Sequence, residues 1–280
     1  MSERQEFFNQ NGYWVEKKVF SSDQMSELFT MFYDLAYSML KRTGLSVDQF
    51  PTTSKVSYTN DMKTLDLLLL TLFKKNKDLM GEIYDTVSYS IEFLRFITDR
   101  RVESISKELL GINDHIPLYA AYNRIRIDPP EDERRTYGWH QEIFYTIPRT
   151  KFLQTWCPIL RDTTVENGTI EICPRSQTTG IAKQTWNEID EHALQIIVDD
   201  SEVAKFKQIS LPMSVGDILF FDGHLFHKSG QNSTNDEIRF SLVGMFNDTS
   251  NIEFRCPKPN FDFRGITPKE HFKQYFDQSN

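Results

Sequence analysis

Two short segments, far apart in the chain, constrain this sequence more than anything else in it. The first reads Gly138-Trp139-His140-Gln141-Glu142. The second reads Phe226-His227-Lys228-Ser229-Gly230-Gln231-Asn232, with Arg239 and Phe240 close behind. Together they supply two imidazoles, one carboxylate and one guanidinium. Two His and one carboxylate can occupy one face of an octahedral non-haem iron and leave three positions open. Two of those suit a bidentate 2-oxo acid and the third suits O2. A fold that uses this set must bring remote strands together. Residues i and i+2 on a strand point to the same face, so the spacing predicts that His140 and Glu142 project together into a barrel interior while Gln141 points away. His227 must then come from another strand. Arg239 follows it by twelve residues, enough for one turn and a return on the neighbouring strand. A planar guanidinium there could hold the far carboxylate of the keto acid through two parallel hydrogen bonds. His224 is a competing imidazole, but on a strand it faces away from His227, and the flanking Ser229, Gly230 and Asn232 favour His227.

At these residues the chain resembles the phytanoyl-CoA dioxygenase family of Fe(II)/2-oxoglutarate oxygenases. The likeness runs from about residue 6 to about residue 247. Phe7-Phe8-Asn9-Gln10-Asn11-Gly12-Tyr13-Trp14-Val15 looks like the family's first strand, followed by a long helix. Trp139-His140-Gln141-Glu142 is similar to its Trp-His-Gln-acid segment. Glu166-Asn167-Gly168 and Pro174-Arg175-Ser176-Gln177 stand where it has E-N-G and P-G-S-H. Val215-Gly216-Asp217 resembles the turn before the strand with the second His. The resemblance implies that His140, Glu142 and His227 bind Fe(2+). It also implies that Arg239 and Ser229 bind 2-oxoglutarate, and that Trp156 and Gln141 belong to the cosubstrate pocket. Two departures stand out: the acid is Glu142 where Asp is usual, and the P-G-S-H stretch has changed. The implied reaction consumes O2, releases succinate and CO2, and hydroxylates an unactivated C–H of a small molecule. With a carboxylate at position 142 there is no room for the chloride that a halogenase of this type needs.

Composition narrows the setting. The 280 residues, 39% hydrophobic with 22 Phe and 11 Tyr, suffice for one oxygenase domain with a sizeable core. Residues 1–112 read as a mainly helical buttress, 113–250 as the β core with the iron site, and 251–280 as a tail with a short helix from Thr267. The net charge of −8 opposes nonspecific nucleic-acid binding, which needs a basic footprint. The first twelve residues are too polar for a signal peptide. The apolar run Leu65 to Phe73 is too short for a membrane span. Cys157, Cys173 and Cys256 read as reduced thiols, and a cytoplasmic protein is the simplest expectation.

Along the chain, Ser21 and Gln24 form a capping box ahead of apolar residues at helical spacing from Met25 to Met39. Gly44 should end that helix. Residues 46 to 60 read as loop. Met62 to Leu110 should form two or three helices, broken at Gly81 and Gly111. From Leu118 the period switches to two, predicting a strand with Arg124 and Arg126 on one face. Further strands are expected at Trp139–Tyr145, Phe152–Leu160, Thr169–Cys173, Lys207–Leu211, Ile218–Phe221 and Ile238–Asn247, with a loop or helix insertion between Gly180 and Glu202. Many short strands after a helical segment predict an α+β fold. Its core would be a double-stranded β-helix, a cupin-like jelly roll, with the N-terminal helices packed on one sheet and the iron in the barrel mouth. Arg124, Arg126, Arg134 and Arg135 would suit an anionic substrate. Two other readings share the fold: a cupin-like metal enzyme that does not use 2-oxoglutarate, and a barrel that serves in binding.

Overall fold

The computed structural model describes residues 1–120, 123–130, 132, 136–144, 151–190 and 193–254. The chain opens with a helix, α1 (Glu3–Asn11), and only then enters β1 (Tyr13–Glu16). The expected strand from Phe7 is therefore corrected: Ser2 caps α1 at the Gln5 amide, and Gly12, at φ 81°, ends it in the left-handed region. Helix α2 (Ser22–Arg42) carries the capping box between Ser21 and Gln24 and buries the face from Met25 to Leu40.

The segment after it folds as four helices rather than two or three: α3 (Met62–Lys75), α4 (Lys77–Val87), α5 (Ile91–Ile97) and α6 (Arg100–Leu110). Gly111, at φ 66°, ends α6 as expected, but Gly81 lies inside α4. The breaks fall instead at side chains that cap. Asn76, Ser90 and Asp99 accept hydrogen bonds from the first-turn amides of α4, α5 and α6. Polar capping outweighs the modest helix penalty of one glycine.

The strands are β2 (Leu118–Ala120), β3 (Arg124–Asp128), β4 (Phe152–Pro158), β5 (Ile170–Ile172), β6 (Gln184–Asp190), β7 (Ala193–Val198), β8 (Ile209–Ser210), β9 (Ile218–Asp222), β10 (His227–Ser229) and β11 (Arg239–Asp248), with a short helix α7 (Asp200–Val203) before β8. The expected strand from Leu118 is thus two strands, with Ala121 and Tyr122 outside the described residues. The expected loop or helix between Gly180 and Glu202 is mainly a hairpin of β6 and β7, where the β-branched Ile196, Ile197 and Val198 favour extended chain. Tyr145, Arg134, Arg135, Cys256 and the helix start at Thr267 also lie outside the described residues.

Two antiparallel sheets form the barrel. The larger runs β1-β9-β4-β11-β2, with β3 also paired to β11; the smaller runs β10-β5-β8. Alternation decides which side each residue serves. On β9, Ile218 and Phe220 join the core under the helices, while Leu219 and Phe221 face the smaller sheet. On β11, Phe240, Leu242 and Phe246 face the helices and Val243 faces inward. The Phe32 ring of α2 meets Phe240 edge-on at 5.3 Å. This is the double-stranded β-helix with helices on one sheet that the sequence predicts. Among the described residues no helix is long and apolar enough to cross a membrane. Cys157 and Cys173 are free and buried.

One ion pair ties the helical layer to the strand ends nearest the site. Asp66 of α3 receives both Arg161 Nη2 at 2.5 Å and the Ile238 amide at 3.0 Å. Arg161 in turn donates to the Ile238 carbonyl at 2.6 Å. Asp66 is buried, and removing it leaves the Arg161 charge without its main partner. Asp66→Ala should therefore lower stability by about 3 kcal/mol, which a shift in the urea unfolding midpoint at unchanged slope will show.

Candidate metal centre and its cavity

His227 opens β10, and His140 lies opposite it in an isolated antiparallel bridge. The His140 amide donates to the His227 carbonyl at 2.9 Å, and the His227 amide returns the bond at 3.1 Å. This pairing sets the two imidazoles side by side, with ring centroids 4.1 Å apart. Each ring is fixed by its own chain: Nδ1 of His140 lies 2.7 Å from the Gly138 carbonyl, and Nδ1 of His227 lies 2.9 Å from the Leu225 carbonyl. Carbonyls accept only, so both Nδ1 atoms carry the proton and both Nε2 atoms are left with lone pairs. Glu142 Oε2 stands 3.8 Å from Nε2 of His140 and 3.6 Å from Nε2 of His227. All three ligand atoms lie within 4.8 Å of one another.

The route by which Glu142 arrives differs from the expected one. Trp139–Tyr145 does not form a strand; after the single bridge at His140 the chain turns into a 3-10 helix, Glu142–Phe144. The Ile143 amide bonds the Gly223 carbonyl at 3.1 Å, and Gln141 is drawn out of line. The Gln141 side chain is fully buried. Its amide donates to the carbonyls of Gly180 and His224, both at 2.7 Å, and accepts from the Ala182 amide at 2.9 Å. Gln141 thus anchors the metal-bearing turn to two loops and does not reach the cavity, which corrects its expected place in the cosubstrate pocket. The β6–β7 hairpin holds the other side of the arm. Gln195 Oε1 accepts from the Gly138 amide at 3.2 Å, and the Val198 amide donates to the Trp139 carbonyl at 2.7 Å.

Electrostatics favour a neutral His140 beside a charged Glu142. Burial, reinforced by the neighbouring His227, pushes His140 down to about 3. Burial alone would raise the Glu142 pKa, but the neighbouring His227 and His140 outweigh it and leave it lowered. That is the protonation state in which such a set binds a divalent cation.

The cluster opens into a cavity of about 790 Å³ whose wall includes Trp156, Gln154, Val243, Phe221, Ser229 and Arg126. Phe221 packs edge-on against the His227 ring at 4.7 Å. Trp156 and Ser229 line this cavity, and Arg239 is not among its lining residues. It opens β11 in the larger sheet, whereas β10 belongs to the smaller one, so the two are not neighbouring strands. Its guanidinium lies behind the wall, 2.7 and 3.1 Å from Asp128 Oδ2 and bonded to the carbonyls of Gly168 and Gly230. Gly168, at φ 86°, leaves the space: a Cβ there would meet the Gly230 carbonyl and the guanidinium. His224 also lies apart, with Nδ1 3.1 Å from Asp222 Oδ1. Sequence reasoning missed Gln154, whose buried Oε1 has no partner among the described residues. Its position two residues before Trp156 on β4 was the available signal. Ser176 was noticed only as part of a changed motif, yet its hydroxyl accepts from the Phe226 amide at 2.8 Å and holds the entry to β10.

The phytanoyl-CoA dioxygenase (PhyH) profile matches residues 8–241, and the chain belongs to that family, the 2-oxoglutarate-dependent oxygenases of the non-haem iron class. Solved structures share its fold. The epimerase SnoN in complex with Fe3+, alpha ketoglutarate and nogalamycin RO superposes with a TM-score of 0.57 at 17% identity, over 88% of this chain and 82% of that one. EvdO2 from Micromonospora carbonacea var. aurantiaca, complexed with 2-oxoglutarate, gives 0.55 at 18% identity, over 92% and 95%. EctD from S. alaskensis with bound Fe gives 0.54 at 18%, over 90% and 78%.

Glu142→Ala and His140→Ala should each abolish retention of Fe(II) after anaerobic loading and desalting, read by metal analysis. Gln195→Leu, which releases the Gly138 arm without touching a ligand, should weaken Fe(II) by about tenfold. An unchanged affinity would show that the hairpin does not position the centre.

Proposed function

We propose that this protein is an Fe(II)- and 2-oxoglutarate-dependent dioxygenase that hydroxylates an unactivated C–H of a small molecule. The observation that carries the reading is the convergence of His140, Glu142 and His227, tautomers fixed and carboxylate charged, at the base of one cavity. Two imidazole nitrogens and one carboxylate oxygen suit Fe(II) and fill only one face of it. When bound, iron and 2-oxoglutarate supply the coupling of O2 reduction and oxidative decarboxylation to oxidation of the substrate, with succinate and CO2 released. The residues around them do the rest. Gly138 and Leu225 hold the two imidazoles in the binding tautomer. Trp156, Val243 and Phe221 line the inner wall with apolar surface that limits water at the reacting centre. Gln154 completes the same wall from β4.

The cavity mouth bears both signs of charge. Asp78, Glu82 and Asp85 stand on the α4 side, and Arg124 and Lys228 on the strand side. That lining suits a polar substrate with donors and cationic groups as well as acceptors, a broader class than the simple anion suggested by the arginines in the sequence. Acidic groups so near the entrance also repel a polyanion.

The test is an anaerobic titration of the purified protein with Fe(II) and 2-oxoglutarate, followed by O2 and a succinate assay. A weak visible charge-transfer absorption on adding the keto acid, with slow succinate release that Glu142→Ala abolishes, is the expected outcome. Iron retention with neither absorption nor succinate would move the protein to a metal enzyme that does not use the keto acid.

A further inference from the structure

Gly81 is a glycine that neither packing nor backbone conformation requires. It lies in the interior of α4, where glycine gives up more conformational freedom on folding than alanine does. A Cβ added at Gly81 would meet no atom within 4 Å, and its φ lies outside the left-handed region. Among the described residues every other glycine has either a positive φ or a neighbour that a Cβ would crowd.

The surroundings of Gly81 supply the missing reason. It lines the cavity that holds the metal cluster. The buried side of α4 is Met80, Ile83 and Val87. The cavity side is Asp78, Gly81, Glu82 and Asp85, three or four residues apart and so on one face of the helix. In that row Gly81 alone has no side chain, and it stands between the others. Lys77, at the start of the helix, has its ammonium 5.3 Å from the centre of the Phe73 ring, a residue outside the cavity wall.

The cavity also has a direction. Its floor is buried, at His140, Trp156, Phe221 and His227. Its rim is exposed, at Asp78, Glu82 and Asp85 on α4 and at Arg124 where β3 begins. Among the described residues the opening to solvent therefore runs between α4 and the start of β3. The helix itself is held in place: Met80, Ile83 and Val87 belong to the main core, and Ser88 Oγ accepts from the Ile125 amide at 3.2 Å. The width of the opening is then a matter of side chains, and the bare turn at Gly81 is a notch in the rim.

We propose that this notch is the passage by which ligands reach the metal centre, and that Gly81 is the specificity-determining residue that sets how wide a group can enter. The inference rests on the metal-centred reading of function above, and deepens it by naming the position that limits the substrate's width.

The experiment follows 2-oxoglutarate binding to the Fe(II)-loaded protein by anaerobic stopped flow, through the visible absorption. Gly81→Trp fills the notch without touching a metal ligand. It should slow association and dissociation alike, each by about tenfold, the effect of one modest added barrier, and leave the dissociation constant within about twofold. A side chain in a passage changes both rates together, whereas one against the bound ligand changes the equilibrium. Gly81→Ala is the control: its Cβ has room, so the melting temperature should rise by about 2 °C and both rates should stay within about twofold. If Gly81→Trp does not fold, Gly81→Leu carries the same readout with a smaller slowing. Unchanged rates in the bulky variant overturn the passage. So does a raised dissociation constant at an unchanged association rate, and so does a destabilised Gly81→Ala, which would give the glycine a packing reason. An unaltered protein that holds Fe(II) without binding 2-oxoglutarate ends the cofactor reading by itself. The passage is then read with bipyridine, a neutral chelator, whose concentration-dependent capture of the bound iron Gly81→Trp should slow by about tenfold; an unchanged capture rate overturns it. An unaltered protein that holds no Fe(II) removes both readings.

Discussion

Everything functional in this structure hangs on one backbone pairing, the two hydrogen bonds between His140 and His227. They are the point where an arm from the middle of the chain meets the strand that follows β9. Without the pairing the two imidazoles have no common frame, because β10 belongs to the smaller sheet and the His140 segment belongs to no named strand. Each neighbouring contact protects it. Gln141 pulls the following turn down onto Gly180, Ala182 and His224. Ser176 receives the amide just before His227. Gln195 and Val198 brace the arm from the hairpin side. A single bridge between short segments is weak by itself, since isolated strand pairs are marginal in water. Surrounded by buried side-chain amides, it becomes a fixed geometry.

A second network does for charge what the bridge does for geometry. The buried carboxylate of Asp128 stands between two guanidiniums, and glycines at 168 and 230 bring backbone carbonyls close enough to take the remaining donor of Arg239. A buried arginine needs this many acceptors, because an uncompensated charge there is costly. The same requirement explains why Gly168, Gly230 and Asn232 recur in the motifs around the site. Gly168 permits the close approach, and Asn232 ties the backbone of Asp128 to the loop after β10.

The sequence revealed the three metal-binding candidates and the fold class because those depend on residue types in a fixed order. It also revealed the capping box at Ser21 and most strands of the barrel. What it hid depends on partners distant in sequence. Glu142 shares a side with His140 because the chain turns at 142–144, and spacing of two mimics a strand there by coincidence. Gly81 reads as a break, yet the caps at Asn76 and Ser90 decide the helix limits. Arg239 reads as a ligand-binding arginine by its distance from His227. Its register opposite Asp128, which brings the two side chains into an ion pair, cannot be read from that distance.

The two walls of the cavity come from different layers. The inner wall is sheet: Trp156 and Gln154 from β4, Phe221 from β9, Val243 from β11, all spaced by the pleat and packed against the smaller sheet. The outer rim is helix: α4, seated on β3 through the bond from the Ile125 amide to Ser88 Oγ at 3.2 Å. A residue on the inner wall cannot change without disturbing close-packed neighbours on two strands. The acidic residues of α4 project from a helix whose position is fixed on its opposite face by Met80, Ile83 and Val87. Asp78, Glu82 and Asp85 line the cavity from this helix, apart from the His140, Glu142 and His227 cluster. Among the described residues the cavity thus joins a close-packed sheet wall, which carries the metal-ligand candidates, to a helical rim whose exposed side is not part of the barrel.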